Sequence, residues 1–419
     1  MIDNICLFES PDYKNLLPLV YFKPVYDLRC GILTLREKVK SYYQGIPIAL
    51  SCRAYLEEVV CCSNPGLQVN KISGDTCLYI NGQVIVDQNF ISQVPLDGED
   101  TLYMSGGTIA AAKVSGKFLD LVKHKSPDFF TPPNFHNLPQ KNINVKLINY
   151  PWDLVNNNGG QIISDFKLLA SKSSGINIKG NVYDGAYILK AENVFIDEGS
   201  KIKPGVVLDA ESGPIYIGRN VLIYPNAVIE GPAYIGDNSR IKIGAKIYEN
   251  TSICPYCKVG GEIEDSIIHS YSNKQHDGFL GHSYLGSWVN LGANTNNSDL
   301  KNNYGTVKVI INGEEINSGS IHAGLIMSDH SKSGINTMFN TGTIVGVSSN
   351  IFGAGFPDKY IPSFTWGGTD SISEYTLSKS IETAKKVMKR RNVEMTYEDE
   401  SLFNKVFDLT AQERNNKPI

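Results

Sequence analysis

The chain has 419 residues, 42% apolar and 20% charged, the balance of a soluble globular protein with two or three domains. With 39 basic against 43 acidic residues the formal charge is −4, so no single-sign field argues for nucleic acid or a membrane surface as partner. No stretch has the length of a bilayer-spanning segment, the opening MIDNICLFES lacks the features of a signal peptide, and the cysteines read as reduced thiols, so the expected location is cytoplasmic.

Residues 1–160 are expected to form an α/β domain. They hold no six-residue repeat, and they mix alternating strands such as TCLYINGQVIVD with a helix over Thr34 to Tyr43. Thr34 followed by Glu37 spells a capping box at the start of that helix. The polar NNNGG, Asn156 to Gly160, lies near the junction with the second domain.

The repeat is the main signal. Stepping by six from Ile217 meets Ile223, Ile229, Ile235, Ile241, Ile247, Ile253 and Val259. Four residues after each comes a smaller one: Val221, Ala227, Ala233, Ser239, Ala245, Thr251 and Cys257, until Ile263 breaks the pattern. A helix would put residues six apart on different faces. A period of six with an aliphatic residue and a small one both turned inward is the hexapeptide pattern of a parallel β-helix, three hexads to a triangular coil. Cys257 then fills an interior slot, which accounts for CPYC, Cys254 to Cys257, without metal or redox chemistry.

The frame extends back through Ile196, Ile202 and Leu208, broken by extra residues around Glu211 to Gly213. Downstream it restarts two residues out of register at Phe279, Leu285 and Leu291, with Lys332, Met338 and Ile344 as a looser continuation. Between these, a hairpin over about 305–318 is expected from TVKVIINGEEINS, which alternates around Asn312-Gly313. The β-helix domain is taken as 161–372. PDKYIPSFTWGG, Pro357 to Gly368, reads as a strap over the last coil. Residues 373–419 form a helical cap, with Ile381, Ala384 and Met388 on its inner side and the basic KKVMKRR on its solvated face.

Histidines cluster in HSYSNKQHDGFLGHSYLGSWVNLGANT. His276 and His282 share one slot of the hexad and fall on different sides of the prism. From residue pattern alone, each is as readily a solvated wall residue as a functional one.

The stretch SNKQHDGFLGHSYLGSWVNLGANT resembles the acetyltransferase half of the bifunctional glucosamine-1-phosphate acetyltransferase / N-acetylglucosamine-1-phosphate uridylyltransferase family. LRCGILTLREK, YPWDL and GAGFPDKYIPSFTWGG are at home in a divergent branch from Bacteroidetes-type bacteria, so the resemblance spans nearly the whole chain. It implies a left-handed solenoid, a homotrimer and acetyl transfer from acetyl-CoA to an amino-sugar phosphate in nucleotide-sugar biosynthesis. Aligned without a gap, it places the catalytic base on His276. In the same alignment substrate or cofactor contacts fall on Asn290 and Ala293, and with a gap on Asn303 and Lys308; His282 falls one hexad on, at a position the family does not use. Phe279 stands where the family has a tyrosine.

The family's glycine-rich nucleotide loop is absent; Arg29, Gly31 and Lys38 are a remnant of it or simply a helix start. Asp75 in SGDT is a turn residue or a metal ligand. Mg²⁺ is expected only if the N-terminal domain transfers nucleotides, and no other metal site is expected. Two other readings stay open: a nucleotidyltransferase whose β-helix only oligomerises it, and a non-catalytic trimeric scaffold or sensor.

Overall fold

The computed structural model describes residues 2–125, 127–170 and 177–416. Met1, Ser126, 171–176 and 417–419 fall within the three expected domains and lie outside the described residues. By contacts the chain divides into two units: Met1–Leu28 with Leu33–Tyr150 and Thr396–Lys405, and Arg29–Ile32 with Pro151–Met395 and Val406–Ile419.

The first unit is α/β. Its strands are β1 (Asn4–Phe8), β2 (Ile48–Leu50), β3 (Gln68–Val69), β4 (Thr76–Asn81), β5 (Thr101–Ser105), β6 (Thr108–Ser115) and β7 (Gln140–Asn142). They line up in the order β3-β2-β1-β4-β6-β5-β7. β1 runs parallel to β2 on one side and to β4 on the other, so the chain reverses its direction of winding at β1. Helices α1 (Leu35–Tyr42), α2 (Glu57–Ser63), α3 (Gln88–Gln93) and α4 (Gly116–Val122) fill the connections. Thr34 and Glu37 close the expected capping box at α1. Phe8, Tyr79, Phe130 and Phe135 anchor the core, with Phe8 and Phe130 stacked at 4.3 Å.

The second unit is a left-handed β-helix of hexapeptide repeats. Ile217 faces Ile235, and Ile235 faces Ile253, in parallel register eighteen residues apart, which is three hexads. Every aliphatic residue of the sequence frame from Ile217 to Val259 is buried, and so are its small partners from Val221 to Cys257. The small slot also has a polar use. Ser239 Oγ accepts the Cys257 N–H at 3.0 Å and donates to the Cys254 carbonyl at 2.9 Å. Ser200, Ser272 and Ser331 make the same pair of bonds in other coils. Cys257 sits in this column, and burial pushes its thiol well up, away from the reactive thiolate.

The sequence frame slips beyond Val259. The coil tightens, so that Ile247 faces Ile263 and Ile263 faces Leu280. The inward residues are therefore Leu280, Ser333, Phe339 and Val345, each one position after the expected Phe279, Lys332, Met338 and Ile344. Neighbours on a pleated strand face opposite ways, so one step exchanges inside for outside. The interruption is hidden because Lys274 occupies an inward slot opposite Val259. The hairpin forms as expected, with Lys308–Ile311 antiparallel to Glu314–Asn317 and both turn residues at positive φ. The expected strap is instead the last coil itself, since Val345 faces Ile361 and Ile351 faces Gly367.

Helix α5 (Pro151–Ala170) contains the NNNGG segment and packs on the solenoid. Helix α6 (Leu377–Lys389) buries Ile381, Ala384 and Met388 and leaves its lysines exposed. It runs along the coils, from the Ser380–Ser348 hydroxyl bond to the Arg391–Asn273 bond beyond its end. Beside it the corner residues Tyr256, Tyr271 and Trp288 stack at 4.8 and 4.2 Å. Phe407 of α7 (Tyr397–Leu409) and Glu413 of α8 (Ala411–Asn416) close over Phe364 and Ser363 of the last coil.

Lys274 Nζ donates to the carbonyls of Gly260 and His276 at 3.1 and 2.9 Å. Burial lowers its pKa to about 8, against partial support from Asp277 and Glu262. Between that value and its ordinary one the unfolded chain binds more protons than the folded one, so this lysine makes stability rise with pH. Urea unfolding at pH 8 and pH 10 should show that gain in the native chain, and Lys274→Met should lack it.

Candidate functional site

Three successive coils turn a corner through Asn250, Asp265 and His282, at φ of +56°, +41° and +44°. This left-handed conformation is costly for most side chains, and Asn, Asp and His are the ones that tolerate it best. Because the coils are in register, the three side chains form a column. Asn250 Nδ2 donates to Asp265 Oδ1 at 2.9 Å, and Asp265 Oδ2 lies 3.9 Å from His282 Nε2. The base of the column is fixed by α5: Asn158 Nδ2 donates to the Asn250 carbonyl at 2.6 Å. A Cβ on Gly159 would overlap the Asn250 side chain, which explains the glycine in NNNGG.

His282 is half-buried. Its Nδ1 lies 2.8 Å from Asp299 Oδ2, and its ring stacks on His322 with centroids 4.5 Å apart. A carboxylate can only accept, so Nδ1 carries a proton, and in the neutral ring Nε2 keeps the lone pair. Burial alone would lower the His282 pKa; the Asp299 bond and the charges of Asp265, Asp299 and Glu264 outweigh it and raise it. The Asp299 carboxyl is held below its ordinary range by His282 and His322 despite burial. Burial raises Asp265 and Glu264.

Glycine makes room for this pair. A Cβ on Gly281 would sit 2.5 Å from Asp299 Oδ2. Asn297 occupies an inward slot and bonds both the N–H and the carbonyl of Gly281 at 3.0 Å, standing in for a strand partner. Next to the column, Gly159, Gly160, Asp209, Glu230, Glu249 and Asn250 line a groove of about 390 Å³.

The residues expected from sequence fall in several places. His276 is exposed on a bend at another corner, and among the described residues no protein group bonds its ring. Ala293 lies one coil on from it, near Asn294, whose N–H bonds the Asp277 carbonyl. Asn290 bridges the strands at Asn273 and Lys332. Phe279 lies beside Gly281. Asn303 is exposed and caps its own turn by accepting from the Gly305 N–H, and Lys308 pairs across the hairpin with Glu315 at 2.6 Å. Sequence reasoning misses Asp265, Asp299 and His322. The signal for them is the hairpin, which returns the chain so that the Gly324 N–H bonds the His282 carbonyl.

In the first unit the winding reversal at β1 marks the place where ligands bind in open α/β sheets. Polar residues gather there, but they bond one another. Arg53 donates to both oxygens of Glu9 at 3.1 Å, to Tyr55 Oη and to the carbonyls of Val20 and Lys23. Glu9 is thus committed to Arg53, and the Asp75 N–H bonds Asp3 in a turn. Among the described residues the first unit holds no trio of metal-ligating side chains, and Mg²⁺ there would be held by one or two carboxylates together with substrate phosphates. Lys38 is fully buried in α1. Gly31, at φ +92°, donates to Asn158 Oδ1 at 2.7 Å, and the Arg29 N–H bonds Tyr284 Oη at 3.2 Å.

Residues 5–174 match the sugar nucleotidyl transferase family, and residues 214–247 match the bacterial transferase hexapeptide (six repeats) family. The chain thus joins a sugar nucleotidyltransferase domain to hexapeptide repeats. A bifunctional sugar-1-phosphate nucleotidylyltransferase/acetyltransferase from Sulfurisphaera tokodaii is 28% identical over 52% of this chain and 49% of its own length. The bifunctional protein GlmU of Acaryochloris marina is 34% identical over 24% of this chain and 21% of its own. The chain therefore spans about half or less of the length of these relatives. A solved UDP-N-acetylglucosamine acyltransferase covers 57% of this chain and 90% of its own at 18% identity, with a TM-score of 0.27. Among the described residues no helix is long and apolar enough to cross a membrane.

Asp299→Asn should lower the His282 pKa, read as the pH midpoint of its imidazole resonances by NMR. Gly281→Ala should lower it too, by pushing the Asp299 carboxylate aside. Midpoints unchanged in both variants would mean that Asp299 does not govern this ring.

Proposed function

Because one chain joins a sugar nucleotidyltransferase domain to hexapeptide repeats, we propose that it is an acyltransferase of nucleotide-sugar biosynthesis, moving an acetyl group from acetyl-CoA to the amine of an amino-sugar phosphate. The observation that carries this reading is the His282–Asp299 pair at a left-handed corner of the solenoid. Acyl transfer needs a base for the proton that the amine sheds as it attacks the thioester carbonyl. His282 Nε2 offers that lone pair, and Asp299 fixes the tautomer and supports the imidazolium that forms. As the carbon–sulfur bond breaks, the same proton passes to the departing thiolate, so the imidazole ends as it began. The carboxylates of the neighbouring groove favour an acceptor that arrives with a cationic amine, which gives one proton to solvent before the neutral amine attacks and sheds its second to His282. This reading places the base on His282, not on His276, whose ring has no orienting partner.

The solenoid form supports a homotrimer in a cytoplasmic setting, with acetyl-CoA as co-substrate. The family match supports nucleotidyl transfer by the N-terminal domain as a second activity. It requires an arrangement other than the closed Glu9–Arg53 network to receive phosphates.

The test is thiol release from acetyl-CoA with glucosamine 1-phosphate and related amino-sugar phosphates. His282→Ala should cut turnover by about 10²-fold or more, Asp299→Asn should lower it, and His276→Ala should change it little. Equal losses at His276 and His282 would move the site to the other corner. Pyrophosphate release from UTP and a sugar phosphate without thiol release would leave a nucleotidyltransferase on an oligomerising solenoid. Neither activity would leave the scaffold reading.

A further inference from the structure

The cluster at His282 holds more ligand atoms than a proton-transfer pair needs. His322 follows the hairpin, and its Nδ1 is buried with no hydrogen-bond partner among the described residues. That atom lies 4.0 Å from Asp299 Oδ2, the same oxygen that bonds His282 Nδ1 at 2.8 Å. Two imidazole nitrogens and one carboxylate oxygen thus lie within 4.8 Å of one another.

We propose that His282, Asp299 and His322 form a binding site for a divalent transition-metal ion of the zinc class, and that its occupancy switches off the base. This rests on the acyl-transfer reading only for the consequence, not for the site. The spacing, the donor set and the surroundings all support it. Ligand atoms about 2.0–2.1 Å from a tetrahedral ion lie about 3.3 Å apart, and the spacings of 2.8 and 4.0 Å bracket that value. Two imidazoles with one carboxylate suit zinc, cobalt or nickel and not the oxygen-seeking magnesium or calcium. The far nitrogen of His282 also has a carboxylate near it, Asp265 at 3.9 Å, and outer carboxylates of this kind orient metal-bound imidazoles.

The consequence comes from the proton. Coordination through Nδ1 moves the His282 proton to Nε2, so the lone pair that would accept the amine's proton is gone. Asp299 is at the same time drawn from the imidazole to the ion. His322 stacks on His282 and helps hold the Asp299 carboxyl down, so its variants are read by the metal signal and by the effect of zinc on each variant's own rate, not by the rate itself.

The test uses the full chain, freed of metal with a chelator, in a Cys61→Ser/Cys62→Ser background that removes the two exposed thiols. Titration with Co²⁺ should give ligand-field absorption that saturates at one ion per chain. Zn²⁺ should displace it and stop thiol release, and EDTA should restore turnover. His322→Ala should lose the cobalt bands, and zinc should no longer change whatever metal-free turnover that variant has. His322→Asn, checked by circular dichroism, guards against misfolding. Absence of the bands, or bands that persist in both His322 variants of intact fold, would overturn the site. Bands that depend on His322 in a chain that never releases thiol would keep the site and sink the acyl-transfer reading. Zinc inhibition that persists without His322 would separate the metal from the switch.

Discussion

The structure depends on one constraint: parallel coils must stack in register around an interior with room for one aliphatic side chain and one small one per hexad. Each coil alone exposes a face it cannot bury, so the coils hold each other up. The small slot is where the constraint is tightest. Serine serves there as well as alanine because its hydroxyl bonds a carbonyl and an N–H of the next coil. Registered stacking also lines up the corners, and a column of corner side chains is the material of the candidate site.

That column explains why Asn250, Asp265 and His282 belong together although they lie far apart in sequence. At this edge the left-handed corners carry Asn, Asp and His, which tolerate that conformation best, and registration sets them one above another. The site therefore grows out of the fold's own conformational demand. His282 is both a corner residue and the ring that Asp299 holds. The two roles separate at Asp299 and His322, which come from the next coil and from the hairpin return.

The solenoid is legible in the sequence as far as Val259 because its aliphatic steps are regular and the slots between them hold small residues. Beyond it, a tightened coil and the inward Lys274 hide the frame: the residue pattern keeps Leu285 and Leu291 inward but falls one position early at Phe279, Lys332, Met338 and Ile344. The hairpin is legible because Asn312-Gly313 is a turn with a mechanism. His282 is visible, yet its weight is not, since its partners reach it only through the hairpin and through α5. In the first unit, the capping box at Thr34 can be read locally. The Glu9–Arg53 network cannot, because it joins the ends of strands that sequence does not pair.

Helix α5 has a practical meaning for anyone dissecting the protein. By sequence it lies inside the nucleotidyltransferase family match, residues 5–174, while by contacts it groups with the solenoid. Arg29–Ile32 groups there as well, so the polypeptide leaves the first unit, touches the second and returns. A cut at the family boundary would strip Asn250 of its buttress, and even a fragment beginning at Pro151 would lack Gly31 at Asn158.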